Sequence, residues 1–418
     1  MTREKSNSNG QLNAKVIFRA LRYRNFRLFF IGQGTSLVGT WMQAIAMSWL
    51  VYRMTNSAWL LGMVGFFTQI PTFFLAPFAG VLADRWDRRR ILIITQVLAM
   101  VQAFILAFLT LTGMIAVWHI IVMGIILGCI NSMDMPTRQA FVVDMVEDRE
   151  ILSNAIALNS FLFNAARLVG PSVAGIIVAI AGEGVCFLLN GISYLAVIIS
   201  LLFMMIKQQK RITPPSHVLH ELKEGIIYAY NFTPIKNILL LTGSMSLMGM
   251  SYAVLMPIFA RDILHGGAHT LGFLMATGGI GALAGTLYLA SRKNTAGLGD
   301  VIAFASLIFG IGLVAFSLSR SLWISLIILV FIGFGMMVQM ASVNTVLQTI
   351  VDDDKRGRIM SLYTMSFAGI APLGSLLAGA LADKIGAITT LIIGGALCLV
   401  AAILFFPKVQ SLNKLLLN

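Results

Sequence analysis

The chain has 418 residues, of which 58% are hydrophobic and only 11% charged, and its mean hydropathy is +0.87. Soluble domains carry roughly a quarter charged residues, so this chain cannot cover a water-facing surface and lipid must be the solvent for most of it. A formal net charge of +13 would suit a nucleic-acid partner, but the cations sit in short links between apolar runs, which excludes a nucleic-acid-binding face.

Residues 1–25 are polar and basic with no apolar core, and they read as a cytoplasmic lead-in, not a cleavable signal. Backbone groups in lipid need internal partners, which leaves helices or closed barrels. The apolar runs are continuous and do not alternate, so helices are selected. With about 20 residues per span, the sequence predicts twelve spans: 26–52, 58–83, 91–112, 116–141, 152–180, 184–206, 236–260, 270–291, 300–319, 322–350, 359–382 and 387–406. They group as a six-helix bundle (26–206), a central cytoplasmic linker (207–235), a second six-helix bundle (236–406) and a cytoplasmic tail (407–418). The expected fold class is an all-α integral membrane protein of two pseudo-symmetric bundles, with both termini cytoplasmic. Links on the side of the N-terminus hold 25 Lys and Arg, while the other side holds four: Arg53, Arg261, Arg320 and Lys384. That imbalance is what the positive-inside rule predicts for this orientation.

Several spans carry polar stripes at helical spacing. Span one has Gln33, Ser36, Thr40 and Gln43, with Trp41 among them. After span two comes the charged link "GVLADRWDRRR", Gly80–Arg90. Span four has Asn131, Asp134 and Arg138, and span five has Ser160, Asn164, Arg167 and Pro171. Span ten has Gln339, Asn344 and Gln348. Such side chains face a bundle interior or a wet cavity. Interhelical hydrogen bonds, each contributing about 0.6 kcal/mol, are the alternative to a cavity for any one of them. Taken together the stripes predict a central polar cavity with Gln33, Trp41, Gln43, Asn131, Asn164, Arg167, Gln339 and Asn344 as candidate substrate residues.

Arg167 stands apart, because a cation within a span costs about 2.5 kcal/mol or more without compensation. It needs a partner or a ligand. Two arrangements are open: Asp134 pairs with Arg167, or Asp134 and Arg138 pair with each other at i,i+4. Asp134 is also the candidate for proton coupling, as the one carboxylate predicted well inside a span. Gly170-Pro171, and the run "ATGGIGALAG" at 276–285, serve either as hinges or as close-packing surfaces.

In the central linker Pro214-Pro215 breaks any helix, after which Leu219, Leu222, Ile226 and Tyr230 recur at helical spacing. This predicts a short amphipathic helix on the membrane surface, with a solvated linker as the alternative. Cys129, Cys186 and Cys398 all fall in apolar segments and read as small core hydrophobes. His265 and His269 are spaced i,i+4, but Gly266-Gly267 between them argue against a helical metal pair. No metal site and no cofactor is expected, nor any nucleophile–base constellation of an enzyme. No phosphate-binding loop is present, so ATP is not the direct energy source. Finally, a shift of 204 positions brings Phe163, Gly170, Ala174, Gly175 and Gly182 onto Phe367, Gly374, Ala378, Gly379 and Gly386. Repeated six-helix units of this kind build many secondary transporters, with the site between the halves.

These residues resemble a major facilitator superfamily transporter over essentially the whole chain. Gly80, Leu82, Ala83, Asp84, Arg85, Arg88 and Arg89 match the signature that follows the superfamily's second helix, with Asp87 where a Gly is usual. The stretches "LRYRNFRLFFIGQGTSLVGTWMQ" and "ELKEGIIYAYNFTPIKNILLL" are similar to the branch of enterobactin-exporter-like and macrolide-efflux-like proteins. "GPSVAG" resembles the antiporter signature of the fifth helix, with Ala174 in place of one Gly. The resemblance implies a monomeric, multi-pass exporter of the bacterial inner membrane, moving an amphiphilic siderophore or drug-like molecule by alternating access in exchange for protons. It also implies a conformational latch, in which Asp84 caps a helix of the second half near residues 354–361 and Arg88 pairs with Asp144. The alternative of the same fold is a flippase for lysophospholipid or another membrane lipid, with Arg167 holding phosphate.

Overall fold

The computed structural model describes residues 19–146, 149–205, 218–249, 252–292, 294–352 and 355–417, and of 76–85, 149–150, 218–223 and 417 the backbone alone. Within these residues the apolar runs are helices joined by short turns. The first half contains α1 (Arg24–Thr55), α2 (Ala58–Arg85), α3 (Arg88–Leu111), α4 (Val117–Asp144), α5 (Arg149–Ala181) and α6 (Glu183–Phe203). The linker contributes α7 (Val218–Asn231). The second half contains α8 (Thr233–Ser244), α9 (Tyr252–Ile258), α10 (Ala268–Ala290), α11 (Leu298–Leu318), α12 (Leu322–Ile350), α13 (Arg356–Thr364), α14 (Ala371–Ile385), α15 (Ala387–Phe405) and α16 (Val409–Leu417).

Among the described residues, eleven helices are long and apolar enough to cross a membrane. Three of these are not continuous: Ala387–Leu416 contains a 3-10 turn at Phe406–Lys408, and two others depart from the spans expected at 236–260 and 359–382. The segment Thr233–Ile263 contains π turns at Met245–Gly249 and Phe259–Ile263, and Arg356–Ile385 contains one at Met365–Gly369. A π turn loosens the backbone ladder, so these segments are α8 and α9, and α13 and α14, in tandem. Helix α1 falls outside the eleven because its stripe of Gln and Ser is polar; Gln33, Ser36 and Gln43 are nevertheless buried.

In the first half α1 packs on α5 and α6, α3 on α4 and α6, and α2 on α4. The second half repeats this with α10 on α12, and α11 on α12 and α15. Two extended contacts join the halves, α2 with α14 and α5 with α10. The repeat read from sequence has a backbone counterpart. Gly182 ends α5 at φ 81°, ψ 172°, and Gly386, 204 positions on, ends α14 at φ 84°, ψ 154°. Positive φ of this kind favours glycine and makes the tight reversal into the next helix.

Two expectations are sharpened, one in the central linker and one at the C-terminal end of the described residues. Helix α7 packs through Gly225 on α13, buries Ala229, and leaves Ile226, Ile227 and Tyr230 exposed. That is the disposition of a helix with one face on protein and one on lipid headgroups; Leu219 and Leu222 lie outside the residues whose side chains are described. The expected tail is instead the helix α16. Its Leu412 is buried, and its Asn413 accepts from the backbone N–H of Gly299 (3.0 Å) and donates to the Asp300 carboxylate (2.6 Å).

Candidate functional site

The helix ends divide into a cation-rich and a cation-poor side. At the cation-rich side, the link after α2 is a set of fasteners. Asp87 is the N-cap of α3, its Oδ1 accepting from the N–H of Arg89 (2.9 Å) and of Arg90 (3.3 Å). Arg88 then reaches α4, donating through Nη1 to both Asp144 oxygens (2.9 and 3.2 Å) and to the Ala140 carbonyl (3.3 Å). Arg89 turns the other way and donates to the carbonyls of Leu201 (2.7 Å) and Leu202 (2.8 Å), which satisfies the C-terminal end of α6. Gly80, Asp84 and Arg85 lie in the last turns of α2, outside the residues whose side chains are described, and so does the helix-capping contact expected of Asp84. In the second half Arg358 pairs with Glu224 of α7 at 2.7 Å, which ties the linker helix to α13.

At the cation-poor side the halves close on each other through two glycine pairs. A Cβ at Gly62 would meet Gly379 Cα at 2.8 Å, and one at Gly175 would meet Gly272 Cα at 3.0 Å. Only glycine permits backbones so close. The repeat relates these contacts, since Gly175 and Gly379 are 204 positions apart. Polar contacts finish the seal. The Tyr52 hydroxyl donates to the Asp262 carboxylate, and Arg261 donates to Asn56 Oδ1 (2.6 Å) with its guanidinium 5.8 Å from the Tyr52 ring centroid. Arg53 and Glu183 form a two-pronged pair within the first half (2.8 and 3.1 Å). The Tyr52, Asn56, Arg261 and Asp262 cluster was not legible in sequence, because its members are some 200 positions apart.

Between these ends lie the polar stripes, and they separate into two kinds. One is a hydrogen-bond chain inside the first half. Asn190 donates to Gln43 (2.8 Å), Gln43 to Gln102 (3.0 Å), and Gln102 to the Met123 carbonyl (3.2 Å). Gln43 is thus held between α3 and α6 with both its donor and acceptor engaged. Asp134 is held in the same manner: its Oδ1 accepts from Thr95 (2.9 Å) and Gln96 (2.7 Å), and its Oδ2 lies 3.6 Å from Arg138 Nε. Of the two arrangements open for Asp134, the structure has the pair with Arg138.

The other kind faces the boundary between the halves. On α5 the exposed apolar residues Phe161, Val169, Ile176 and Ile180 mark the lipid side. At about 100° per residue, Ser160, Asn164, Arg167 and Pro171 project on the opposite side. Along that face Ser160 is exposed, Arg167 is half-buried and Pro171 is buried, its carbonyl lying against Gly272 of α10. On this face the halves therefore touch at Pro171, and exposure rises toward the cation-rich side. Gly170 packs beneath Trp41, and the Arg167 guanidinium lies 5.8 Å from the Trp41 ring centroid. Phe163 meets the same ring edge-on at 5.9 Å.

The remaining candidates are scattered. Gln33 is buried and Asn131 half-buried on their helices. In the second half Gln339 lines a small cavity with Thr242, Met245, Ser246 and Phe367, and its Nε2 has no acceptor. Asn344 accepts from Gln348 one turn away. Glycines of "ATGGIGALAG" pack α10 against α12, Gly285 lying near the Phe334 carbonyl, which is the close-packing use of such a run. Among the described residues, no three His, Cys, Asp or Glu side chains gather to hold a metal ion.

The sequence profile of the transmembrane secretion effector family matches residues 16–415. The chain is 28% identical to the staphyloferrin A transporter of Staphylococcus aureus (strain NCTC 8325 / PS 47), over 91% of this chain and 95% of that protein. It is 24% identical to the enterobactin exporter EntS of Shigella boydii serotype 4 (strain Sb227), over 93% and 92%. The fold is similar to a bacterial homologue of the human lysosomal transporter Spinster in an inward-facing, unoccupied conformation, with a TM-score of 0.70 at 14% identity over 94% of this chain and 98% of that one.

Proposed function

We propose a function for a chain that belongs to the transmembrane secretion effector family of the major facilitator superfamily and is a membrane transporter, not an enzyme: secondary export of an amphiphilic organic molecule of the siderophore or drug-like kind. Helix α1 is read as a twelfth span, its low hydropathy being the result of a polar stripe that turns inward. The cation-rich side then faces the cytoplasm of a bacterium, by the positive-inside rule.

The observation that carries this reading is the asymmetry of the boundary between halves. Paired glycines close it at the cation-poor end, while a polar face with Ser160 exposed opens toward the cation-rich end. Such a state, loaded from the cytoplasm, is one half of an alternating-access cycle. The link at Arg88, Arg89 and Asp144 is already made in this state and is the base against which Asp84 latches the cytoplasmic side once the cleft turns outward. Protons supply the driving force, with Asp134 as the carboxylate nearest the middle of a span.

The test is a strain lacking the gene, whose culture medium is profiled by untargeted mass spectrometry. A secreted small molecule is expected to disappear, to return with the intact gene, and to stay absent with Asp84→Asn although that variant inserts in the membrane. In vesicles, dissipating the pH gradient is expected to stop uptake of that molecule. An unchanged medium profile removes the export reading; uptake indifferent to the gradient removes proton coupling alone.

A further inference from the structure

Among the described residues the Arg167 guanidinium has no hydrogen-bond acceptor. Its guanidinium lies over the Trp41 ring and within electrostatic reach of the buried Tyr252 of α9, and among the described residues neither a carboxylate nor a carbonyl hydrogen-bonds its N–H groups. Asp134, the nearest mid-span acid by sequence, is already occupied by Thr95, Gln96 and Arg138. A cation within a membrane span and without an internal counter-charge marks a binding function. One turn toward the open end, on the same face, the Asn164 Oδ1 is buried and also lacks a donor.

The position of Arg167 fits a ligand. Its neighbour Leu168 touches Gly279 of α10, and Gly170 touches Trp41 of α1, so Arg167 projects into the gap between α1 and α10. That gap lies between the two halves, opposite the lipid face of α5. A guanidinium over a ring presents N–H donors at its edge, a fork that matches a carboxylate two-to-two. Beside it the Trp41 and Phe163 rings offer an apolar wall.

Resting on the export reading above, we propose that Arg167 and Trp41 form a substrate subsite for an organic anion, one that carries a carboxylate for the Arg167 edge and a planar apolar body for the Trp41–Phe163 wall. A neutral or cationic molecule of the same body is rejected, because it leaves the guanidinium without a counter-charge. Anionic lipid headgroups share the oxyanion chemistry, and the test separates them from soluble acids.

The full chain, purified in detergent, is heated with 2-naphthoate, 2-naphthamide or 2-naphthylmethylammonium, and its melting temperature is read from the loss of monodisperse protein. Naphthoate is expected to raise the melting temperature in a dose-dependent manner, and the amide and ammonium to do so by less than a third as much. Arg167→Gln is expected to lose the naphthoate shift, and Arg167→Lys to keep part of it. Trp41→Phe, which leaves the cation in place, is expected to weaken all shifts and retain the preference for the acid. It stands in if the Arg167 variants are not monodisperse. Equal shifts with acid and amide, or an acid preference that survives Arg167→Gln, overturn the proposal. So does an Arg167-dependent shift seen with lysophosphatidylglycerol and not with naphthoate, which assigns the residue to lipid. The export profile is read separately: a chain that still exports but ignores charge loses only the anion subsite.

Discussion

Replacing Gly379 by alanine tests whether the glycine pairs hold one state of the cycle. The added Cβ would meet Gly62 Cα at 2.7 Å and the Ala58 carbonyl at 2.8 Å. Carbon atoms rest at about 3.5–4.0 Å, so α2 and α14 must part by roughly 0.8 Å or more. Both obstacles are backbone and cannot rotate away. Overpacking of this kind costs about 1–3 kcal/mol, and the strain is felt only while the cation-poor end is shut. A middle value of about 2 kcal/mol shifts the two-state ratio about 30-fold toward the open end. The reporter is Ser375→Cys, a buried position beside Gly62 and Gly65, in a background with the half-buried Cys129 changed to Ala. A membrane-impermeant maleimide added from outside is expected to label it about 30-fold faster when Gly379→Ala is present. Gly357→Ala, which has open space around it, is expected to change nothing. Labelling that stays slow in a folded Gly379→Ala protein refutes the gating role.

Three further outcomes follow from named contacts. Asp87→Ala removes the N-cap of α3 and is expected to lower stability in detergent by about 1 kcal/mol, with Asp87→Asn recovering most of it. Asn190→Ala leaves Gln43 Oε1 buried without its donor, an expected loss of about 1–3 kcal/mol, read by thermal unfolding; the charge preference at Arg167 is expected to be unaffected. Asn413→Ala unties α16 from the start of α11, so amide exchange over residues 409–417 is expected to rise at least tenfold while export persists.

Much of the architecture was open to reading because lipid leaves the chain few choices. The run lengths, the cation imbalance and the 204-residue repeat all reflect constraints that act along the sequence. The repeat even carries detail, since Gly182 and Gly386 share one backbone conformation and Gly175 and Gly379 share one role. Asp87 was legible in principle, as an acid set before three arginines and an apolar run is a helix start. The π turns at Met245–Gly249 and Met365–Gly369 were not, because they depend on how α8 and α13 meet their neighbours. Periodicity placed Gln43 and Arg167 alike on polar stripes, yet Gln43 is spent on Gln102 and Asn190 while Arg167 has no acceptor among the described residues. Which face of a stripe meets a neighbouring helix, and which meets the cleft, is a property of the pairing of helices.

The two glycine contacts have a mechanical corollary. Two rigid bodies that touch at two separate spots can still swing about the line through those spots, and about no other line without lifting off. With one spot at Gly62 and Gly379 and the other at Gly175 and Gly272, this molecule has such an axis built into its cation-poor rim. Widening or narrowing the opposite mouth is then a one-dimensional motion that leaves the rim sealed, while admitting water from the rim side requires both spots to part together. The pivot and the glycine part of the seal are thus the same four residues.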